Sequence, residues 1–393
     1  MIAVIADDFT GAAEIGGIGL RYGLNVVIET EDIQDHNADL LIIATDTRSL
    51  PASDAMKHIY RITKGLQKLE PEFIFKKIDS VLRGNITDEL IAQMEASGQN
   101  KAIVIAANPV FNRIIRDGIY YIDDVPLHET FFSTDPEFPV ISSSVLDIVG
   151  KDSRINIESL KPGNLLPEKG LIIGDAVNIQ DLEKWASFQN TDTLFAGAAG
   201  FFEAVLLKQF KIAAPHSLNP LPFGEKTLYV LGSTYPKDID FLKKLEENGH
   251  FLVNMPEEIF YNKNHDPRCF DRWVDDVVKG IEEHHKVVAS ILHPASSEPD
   301  LSTWIRENIG KLAKKVVQKT ELNELMVEGG ATTSAVLKYL KIKKLFPIQE
   351  LDAGVIRMII DGKPNLCLTT KPGSYPWPDK VWDSETMNIL RPN

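Results

Sequence analysis

Positive charge is in short supply in this chain. Lysine and arginine total 42 against 56 acidic residues, a formal net charge of −14 over 393 residues. That balance excludes a general nucleic-acid or anionic-membrane surface, although a few local cations can still hold a small anion. Cysteine is scarcer still: Cys269 and Cys367 are the two, without metal-binding spacing or a disulfide framework. The N-terminal apolar run, Met1–Ala6, is far short of the ~20 residues of a spanning helix. No basic stretch precedes it, so neither anchor nor secretory leader is expected, and a reducing cytoplasm is the expected location. No Gly-x4-Gly-Lys-Ser/Thr sequence occurs, which argues against an ordinary P-loop enzyme. Fixed-period repeats and low-complexity segments are absent too.

What remains is an ordinary globular composition, 44% hydrophobic and 25% charged, in a chain long enough for two or three domains. Residues 1–120 alternate apolar strand signals (Asn25–Glu29, Leu40–Thr45, Phe73–Ile78, Ala102–Ala107) with helical periodicity at Pro51–Leu69 and Asp88–Ser97. Such alternation predicts a mostly parallel sheet flanked by helices. Residues 119–160 break the rhythm as a hairpin and loop excursion, and alternation resumes from Leu171 to Lys208. The stretch 213–226 carries three prolines and a glycine without periodicity and reads as a linker. Beyond it, strands are expected at Thr227–Leu231, Val287–Leu292, Glu324–Val327, Lys344–Gln349 and Leu366–Thr369. The expected fold class is α/β: two α/β domains with mostly parallel sheets and an interdomain cleft. The expected boundaries are 1–214, a linker at 215–226, and 227–393.

The chain is organised around its first twelve residues. The buried-strand signal Met1–Ala6 runs into Asp7-Asp8-Phe9-Thr10-Gly11-Ala12 and a helical pattern. Two carboxylates thus stand where a strand hands over to a helix, the edge at which open α/β sheets bind ligands. A single acid there would be an ordinary helix cap; two adjacent acids favour a site. A second cluster, Lys76-Lys77-Ile78-Asp79-Ser80-Val81-Leu82-Arg83-Gly84-Asn85, follows another strand. Arg83 has the planar fork that grips a carboxylate, and Asp79 and Asn85 can bond hydroxyls, so together they suit a small polyhydroxylated acid. Thr45-Asp46-Thr47-Arg48-Ser49 and Asn108-Pro109-Val110-Phe111-Asn112-Arg113 also follow strands. Each alone is an ordinary polar turn; the repetition at four strand ends carries the weight.

In the C-terminal half, Leu325-Met326-Val327 leads through Gly329-Gly330 to a helical start at Thr332, and Leu231-Gly232-Ser233 repeats the pattern. A glycine turn that opens a helix offers free N–H groups and positive dipole to phosphate.

Together these stretches resemble the four-carbon acid sugar kinase family. The resemblance rests on Asp7–Ala12, Thr47–Ser49 and Lys77–Asn85, and continues through Pro109–Gly118, Leu127–Thr130 and Ile173–Ala176. It extends to Leu231–Ser233, Glu328–Thr332 and Thr370–Gly373, nearly the whole chain. It implies an ATP-dependent kinase acting on the terminal hydroxyl of threonate, erythronate or an oxo-tetronate, with the acid in the N-terminal domain and the nucleotide in the C-terminal one. Three positions depart from the family pattern: Ala331 replaces an acid, Asn112 a glycine, and Ser374–Pro378 a Phe-Gly ending.

The implied catalytic residues are Asp8, as base or hydroxyl-orienting acceptor, with Asp79 and Lys77. Asp7, Arg48, Arg83, Gly84, Asn85 and Arg113 are implied for the substrate. Ser233, Gly329, Gly330, Ala331, Thr332 and Gly373 are implied for the nucleotide. ATP and Mg²⁺ are the expected cofactors, with no metal ligand assigned. Expected partners are the sugar acid and ATP, with neither nucleic acid nor membrane; a homodimer is an assembly open to such a chain. A non-catalytic sugar-acid-binding homologue is the alternative function. A dehalogenase-like phosphatase ranks low, because its acids stand two residues apart and these are adjacent.

Overall fold

The computed structural model describes residues 1–30, 33–34, 37–135, 137–188, 192–210, 221–232, 236–291 and 301–382. The chain divides into two compact units, Met1–His216 and Ser217–Asn393. The expected linker falls in part on residues outside the described ones. Its described end is bonded into the second unit: Gly224 N–H donates to Glu324 (2.9 Å), and Arg357 donates to the Pro222 carbonyl (3.0 Å).

The first unit runs β1 (Ile2–Ala6), α1 (Phe9–Arg21), β2 (Val26–Glu29), β3 (Leu40–Ala44), α2 (Ala52–Gln67), β4 (Phe73–Lys77), α3 (Ile86–Ser97) and β5 (Lys101–Ile105). A small excursion follows, with β6 (Arg113–Arg116), β7 (Ile119–Ile122), β8 (Val125–Pro126) and α4 (Val145–Val149). The unit closes with β9 (Ile157–Leu160), β10 (Gly170–Gly174), α5 (Ile179–Ala186), β11 (Thr193–Gly197) and α6 (Ala199–Phe210). Its main sheet has the order β2-β3-β1-β4-β11-β5-β10-β9, parallel throughout. β1 is buried at every residue, as strands covered on both faces must be. It lies between β3 and β4, so the chain crosses over it, and the carboxyl ends of these three strands form the edge at which open α/β sheets bind ligands. Strands β6 to β8 form a separate antiparallel sheet, the hairpin expected in the excursion. β9, also in that stretch, joins the main sheet instead.

The second unit runs β12 (Thr227–Leu231), α7 (Pro236–Glu247), β13 (Phe251–Asn254), α8 (Glu257–Tyr261), α9 (Pro267–His284), β14 (Lys286–Ser290) and α10 (Leu301–Lys319). Then come β15 (Glu324–Glu328), α11 (Gly330–Leu340), β16 (Lys344–Asp352), β17 (Val355–Ile360) and β18 (Lys363–Lys371). Its order is β13-β14-β12-β15-β18-β17-β16, parallel up to β18 and antiparallel in the last two pairings. The mostly parallel α/β reading holds. β13 and β17 have no counterpart in the sequence reading: β13 is a run of four residues, and β17, apolar but for Arg357, has no periodicity of its own between two longer strands. Among the described residues, no helix is long and apolar enough to cross a membrane.

Candidate functional site

The carboxyl ends of β1, β3 and β4 bring five of the sequence candidates, Asp7, Asp8, Arg48, Asp79 and Arg83, into one ion-pair network. Asp8 is the N-cap of α1: its Oδ1 accepts from Gly11 N–H (2.8 Å), and its Oδ2 accepts from Thr10 Oγ1 (2.6 Å). The capping role that an Asp takes at such a position is therefore real, but it leaves both oxygens facing Arg48 as well. Arg48 grips Asp7 with a two-pronged contact, Nε to Oδ2 (2.8 Å) and Nη2 to Oδ1 (3.0 Å). It also reaches Asp8 (3.1 Å) and Asp79 (3.4 Å). Burial disfavours the Asp8 carboxylate, yet Arg48 and Lys77, with the Thr10 and Gly11 bonds, outweigh it and hold its pKa below the ordinary 3.8. Burial likewise opposes the Arg48 charge, and the three carboxylates more than offset it.

Adjacent lysines at the end of β4 part company across the sheet. Lys76 is wholly buried and pairs with Glu89 of α3 at 2.6 Å. Lys77 turns to the start of α1, with Nζ donating to the Ile78 carbonyl (3.0 Å) and lying 3.7 Å from Glu14. The period-two alternation of a strand predicts this split.

Past β4 the chain turns back on itself. Leu82 sits at φ +64° and Gly84 at +87°, and Leu82 N–H donates to the Asp79 carbonyl (3.1 Å). The turn sets Arg83 in a two-pronged contact with Asp79, Nε to Oδ2 and Nη2 to Oδ1, both 2.8 Å. Asp79 Oδ2 also accepts from the backbone of Val81 and Arg83. Burial works against its charge, but Arg83 and Arg48 prevail and hold the carboxyl far below the carboxylate range. Gly84 packs directly against Arg48, since a Cβ there would lie 2.7 Å from Arg48 Cγ. Asn85 donates to the carbonyls of Thr47 (3.2 Å) and Leu50 (2.8 Å), so its amide staples the loop that carries Arg48.

The excursion contributes the rest. Arg113 Nη1 donates to Ser80 Oγ (2.6 Å). The preceding Asn112 occupies the left-handed region (φ +52°), which asparagine tolerates better than other residues with a side chain. That conformation accounts for an asparagine where the family pattern has glycine. Asp135, unmarked in the sequence reading, accepts from Arg83 Nη1 (2.8 Å). Phe132 lies under both arginines, 5.2 Å from the Arg83 guanidinium and 5.9 Å from that of Arg113. Thr10 and Ser80 lie inside motifs quoted from the sequence, whereas Phe132 and Asp135 stand in a loop without periodicity and carried no signal there.

In the second unit, Gly329 (φ +88°) turns the chain from β15 into α11, and no acidic side chain occupies the helix's first turn. Its N–H donates to the Lys371 carbonyl (2.9 Å) at the end of β18. The turn after β12 lies against the same helix start, for a Cβ on Gly232 would fall 2.5 Å from Thr332 Oγ1. Gly330, Ala331 and Thr332 form that first turn, and nothing lies within 4 Å of a Cβ built on Gly373. Ser233 lies outside the described residues. At these strand ends Glu328, 7% exposed, accepts from Trp377 Nε1 (2.9 Å) and pairs with Lys371 (2.9 Å). The sequence reading quoted Glu328 and Lys371 only as part of the resemblance and gave them no role.

Comparison with known proteins identifies the assembly. A family model described as a sugar-binding N-terminal domain matches residues 2–205, and one described as a nucleotide-binding C-terminal domain matches 228–375. A D-threonate kinase of Salmonella typhimurium is 33% identical over 226 residues, 53% of each chain. A D-erythronate kinase of Heliobacterium modesticaldum is 26% identical over 380 residues, 86% of this chain and 85% of that one. The chain belongs to the four-carbon acid sugar kinase family. It spans about half the length of the first relative and most of the second. The fold of this family member is shared with a crystal structure of a Salmonella typhimurium LT2 protein, with a TM-score of 0.75 and 18% identity over 95% of this chain and 96% of that one.

Proposed function

We propose that the protein is an ATP-dependent kinase that phosphorylates the terminal hydroxyl of a four-carbon sugar acid such as threonate or erythronate. The observation that carries this reading is the Asp8 carboxylate, which caps α1 through Gly11 and is paired with Arg48 at the end of β1. The sugar acid is read onto the N-terminal unit and the nucleotide onto the C-terminal unit.

Asp8 is read as the acceptor that orients the attacking hydroxyl. A carboxylate whose pKa is lowered by Arg48 and Lys77 is a weak base, but phosphoryl transfer through a loose transition state asks mainly for positioning. Lys77, Arg48 and Arg83 supply charge for the transferred phosphoryl group or the substrate carboxylate, and Arg113 adds a fourth cation. Asp79 is engaged on both oxygens by arginines, so its role is read as fixing Arg83 and Arg48 in place. Asp7 does the same for Arg48. Asn85 and Gly84 are read as shaping the Arg48 loop.

On the nucleotide side, the N–H groups of Gly330, Ala331 and Thr332 at the start of α11 suit a phosphate, and a backbone donor works whatever side chain stands at 331. Gly373 leaves room for the nucleotide nearby in sequence to Lys371. Mg²⁺ is read as part of the Mg-ATP substrate. Such an ion keeps waters and phosphate oxygens and needs only one or two protein carboxylates.

The test is a coupled assay of ADP release with ATP and a panel of threonate, erythronate and 3-oxo-tetronate. Turnover with at least one of them is expected. Tight sugar-acid binding with no turnover on any would leave a binding protein and overturn the kinase.

A further inference from the structure

Ser80, in the turn after β4, has a hydroxyl whose proton no described residue accepts. Its Oγ takes a hydrogen bond from Arg113 Nη1 (2.6 Å), and among the described residues Arg113 is the one partner of that oxygen. A guanidinium has donors and no acceptor, so the Ser80 O–H cannot be spent on it. The residue is nonetheless held firmly. Its carbonyl accepts from the hydroxyl of Tyr120 (2.6 Å), a wholly buried ring on β7, while Arg113 comes from β6. Both grips therefore arrive from the small antiparallel sheet. Asp79, the residue before, is fixed in turn by Arg83 and Arg48. Ser80 is partly exposed between two buried neighbours, Asp79 and Val81. Phe132 lies under both Arg113 and Arg83, so the Ser80–Arg113 pair shares a ring with the Arg83 fork. A neutral donor, oriented by the protein and without an acceptor, thus adjoins the acid network.

We propose that Ser80 is a specificity-determining residue that donates to the C2 hydroxyl of the sugar acid and so reads the configuration at that carbon. This role rests on the kinase reading above, with the terminal hydroxyl at Asp8 and the carboxylate at Arg83. C2 is bonded to the carboxyl carbon, so its hydroxyl travels with the end of the molecule that Arg83 holds. The guanidinium claims the charged oxygens. A neutral O–H suits a neutral hydroxyl, which accepts as readily as it donates. D-threonate and D-erythronate carry the same carboxylate, the same C3 and the same terminal hydroxyl, and they differ only in the configuration at C2. Charge cannot tell such epimers apart. A fixed donor can, because the epimer that turns its hydroxyl away leaves the Ser80 proton unmet. Arg113 aims this donor from the side-chain end, and Tyr120, through the Ser80 carbonyl, is a positioning residue.

The experiment uses calorimetry on the full chain with D-threonate, D-erythronate and the D-series 3,4-dihydroxybutanoate, which lacks the C2 hydroxyl. The proteins are the wild type, Ser80→Ala and Ser80→Thr, with melting temperatures to check that each folds. The wild type is expected to prefer one of the two epimers and to bind the deoxy acid more weakly than that epimer. Ser80→Ala should weaken the preferred epimer by roughly three- to ten-fold, the loss of one neutral hydrogen bond. Its affinity for the deoxy acid should change by less than about two-fold, since the partner hydroxyl is already missing. The preference between epimers should shrink with the first change, and Ser80→Thr, which keeps the hydroxyl, should retain most of it. Equal weakening of all three acids in Ser80→Ala overturns the role, by making Ser80 only a support for Arg113. A wild type without preference between the epimers overturns it too, as does a full preference in Ser80→Ala. Each of these results leaves the kinase reading intact, whereas a wild type that binds no tetronate overturns both.

Discussion

Replacing Gly84 by alanine tests whether the turn after β4 positions Arg48. Two separate effects are built into this one position. Gly84 has φ +87°, and a residue with a side chain in that region is strained by roughly 1–2 kcal/mol. The new Cβ would also lie 2.7 Å from Arg48 Cγ and 3.3 Å from the Arg48 carbonyl oxygen. The side chain must therefore move, and overpacking of this kind adds roughly 1–3 kcal/mol. Gly98 is a control for the first effect alone. It ends α3 at φ +76°, and a Cβ there meets nothing within 4 Å.

In a unit of this size each 1 kcal/mol shifts Tm by roughly 2–4 °C. Gly98→Ala should lower Tm by that first increment, and Gly84→Ala should lower it further. Only Gly84→Ala displaces the guanidinium that holds Asp7, Asp8 and Asp79. Its KM for the sugar acid should rise on the order of ten-fold, the equivalent of ~1.4 kcal/mol. Gly98→Ala should leave KM at the wild-type value. Thermal melts and steady-state kinetics on the two variants decide the matter. Equal losses of Tm, together with an unaltered KM in Gly84→Ala, would refute the claim that Gly84 sets Arg48.

Asp8→Asn keeps the helix cap to Gly11 but removes the charge, so kcat should drop by ~10²–10⁴-fold while circular dichroism stays native. A normal kcat would move the hydroxyl-orienting role to Asp7 or Asp79. Arg83→Lys retains the charge and loses the two-pronged fit to Asp79; KM for the sugar acid should rise with KM for ATP unmoved, and a rise confined to ATP would place Arg83 at the phosphates. The pH dependence of stability follows from Asp8 and Asp79, whose folded pKa values lie below the ordinary 3.8. Their contribution is present above pH ~4 and is lost as pH falls below it, because the unfolded chain takes up protons first. Urea unfolding of the wild type and Asp79→Asn between pH 6 and about pH 3 should show a shallower acid loss in the variant, and parallel profiles would remove Asp79 from the account.

The fold was legible where chemistry is local. A five-residue run buried throughout at Ile2–Ala6, a capping acid behind it and strand-helix alternation are all written in neighbouring residues. Strand order is not, since β11 inserts between β4 and β5 through backbone bonds that any apolar strand can make. The polar residues tell the same story. That Asp7, Asp8, Arg48, Asp79 and Arg83 gather at strand ends could be expected from their positions. That Arg48 is claimed by an acid 41 residues before it, and Arg83 by one 52 residues after it, could not, because no sequence period relates them.

This distinction changes what an acid or arginine in such a motif can be taken to mean. Read alone, Arg48, Arg83 and Asn85 look like groups waiting for a ligand. In the folded chain each already spends hydrogen bonds on the protein: Arg48 on Asp7, Arg83 on Asp79 and Asp135, Asn85 on the carbonyls of the Arg48 loop. A ligand carboxylate gains from such an arginine only the N–H groups its partners leave over. In exchange it meets a guanidinium that is already oriented and has no side-chain entropy left to lose. The pairing that orients each arginine is a property of the folded network, absent from any single motif.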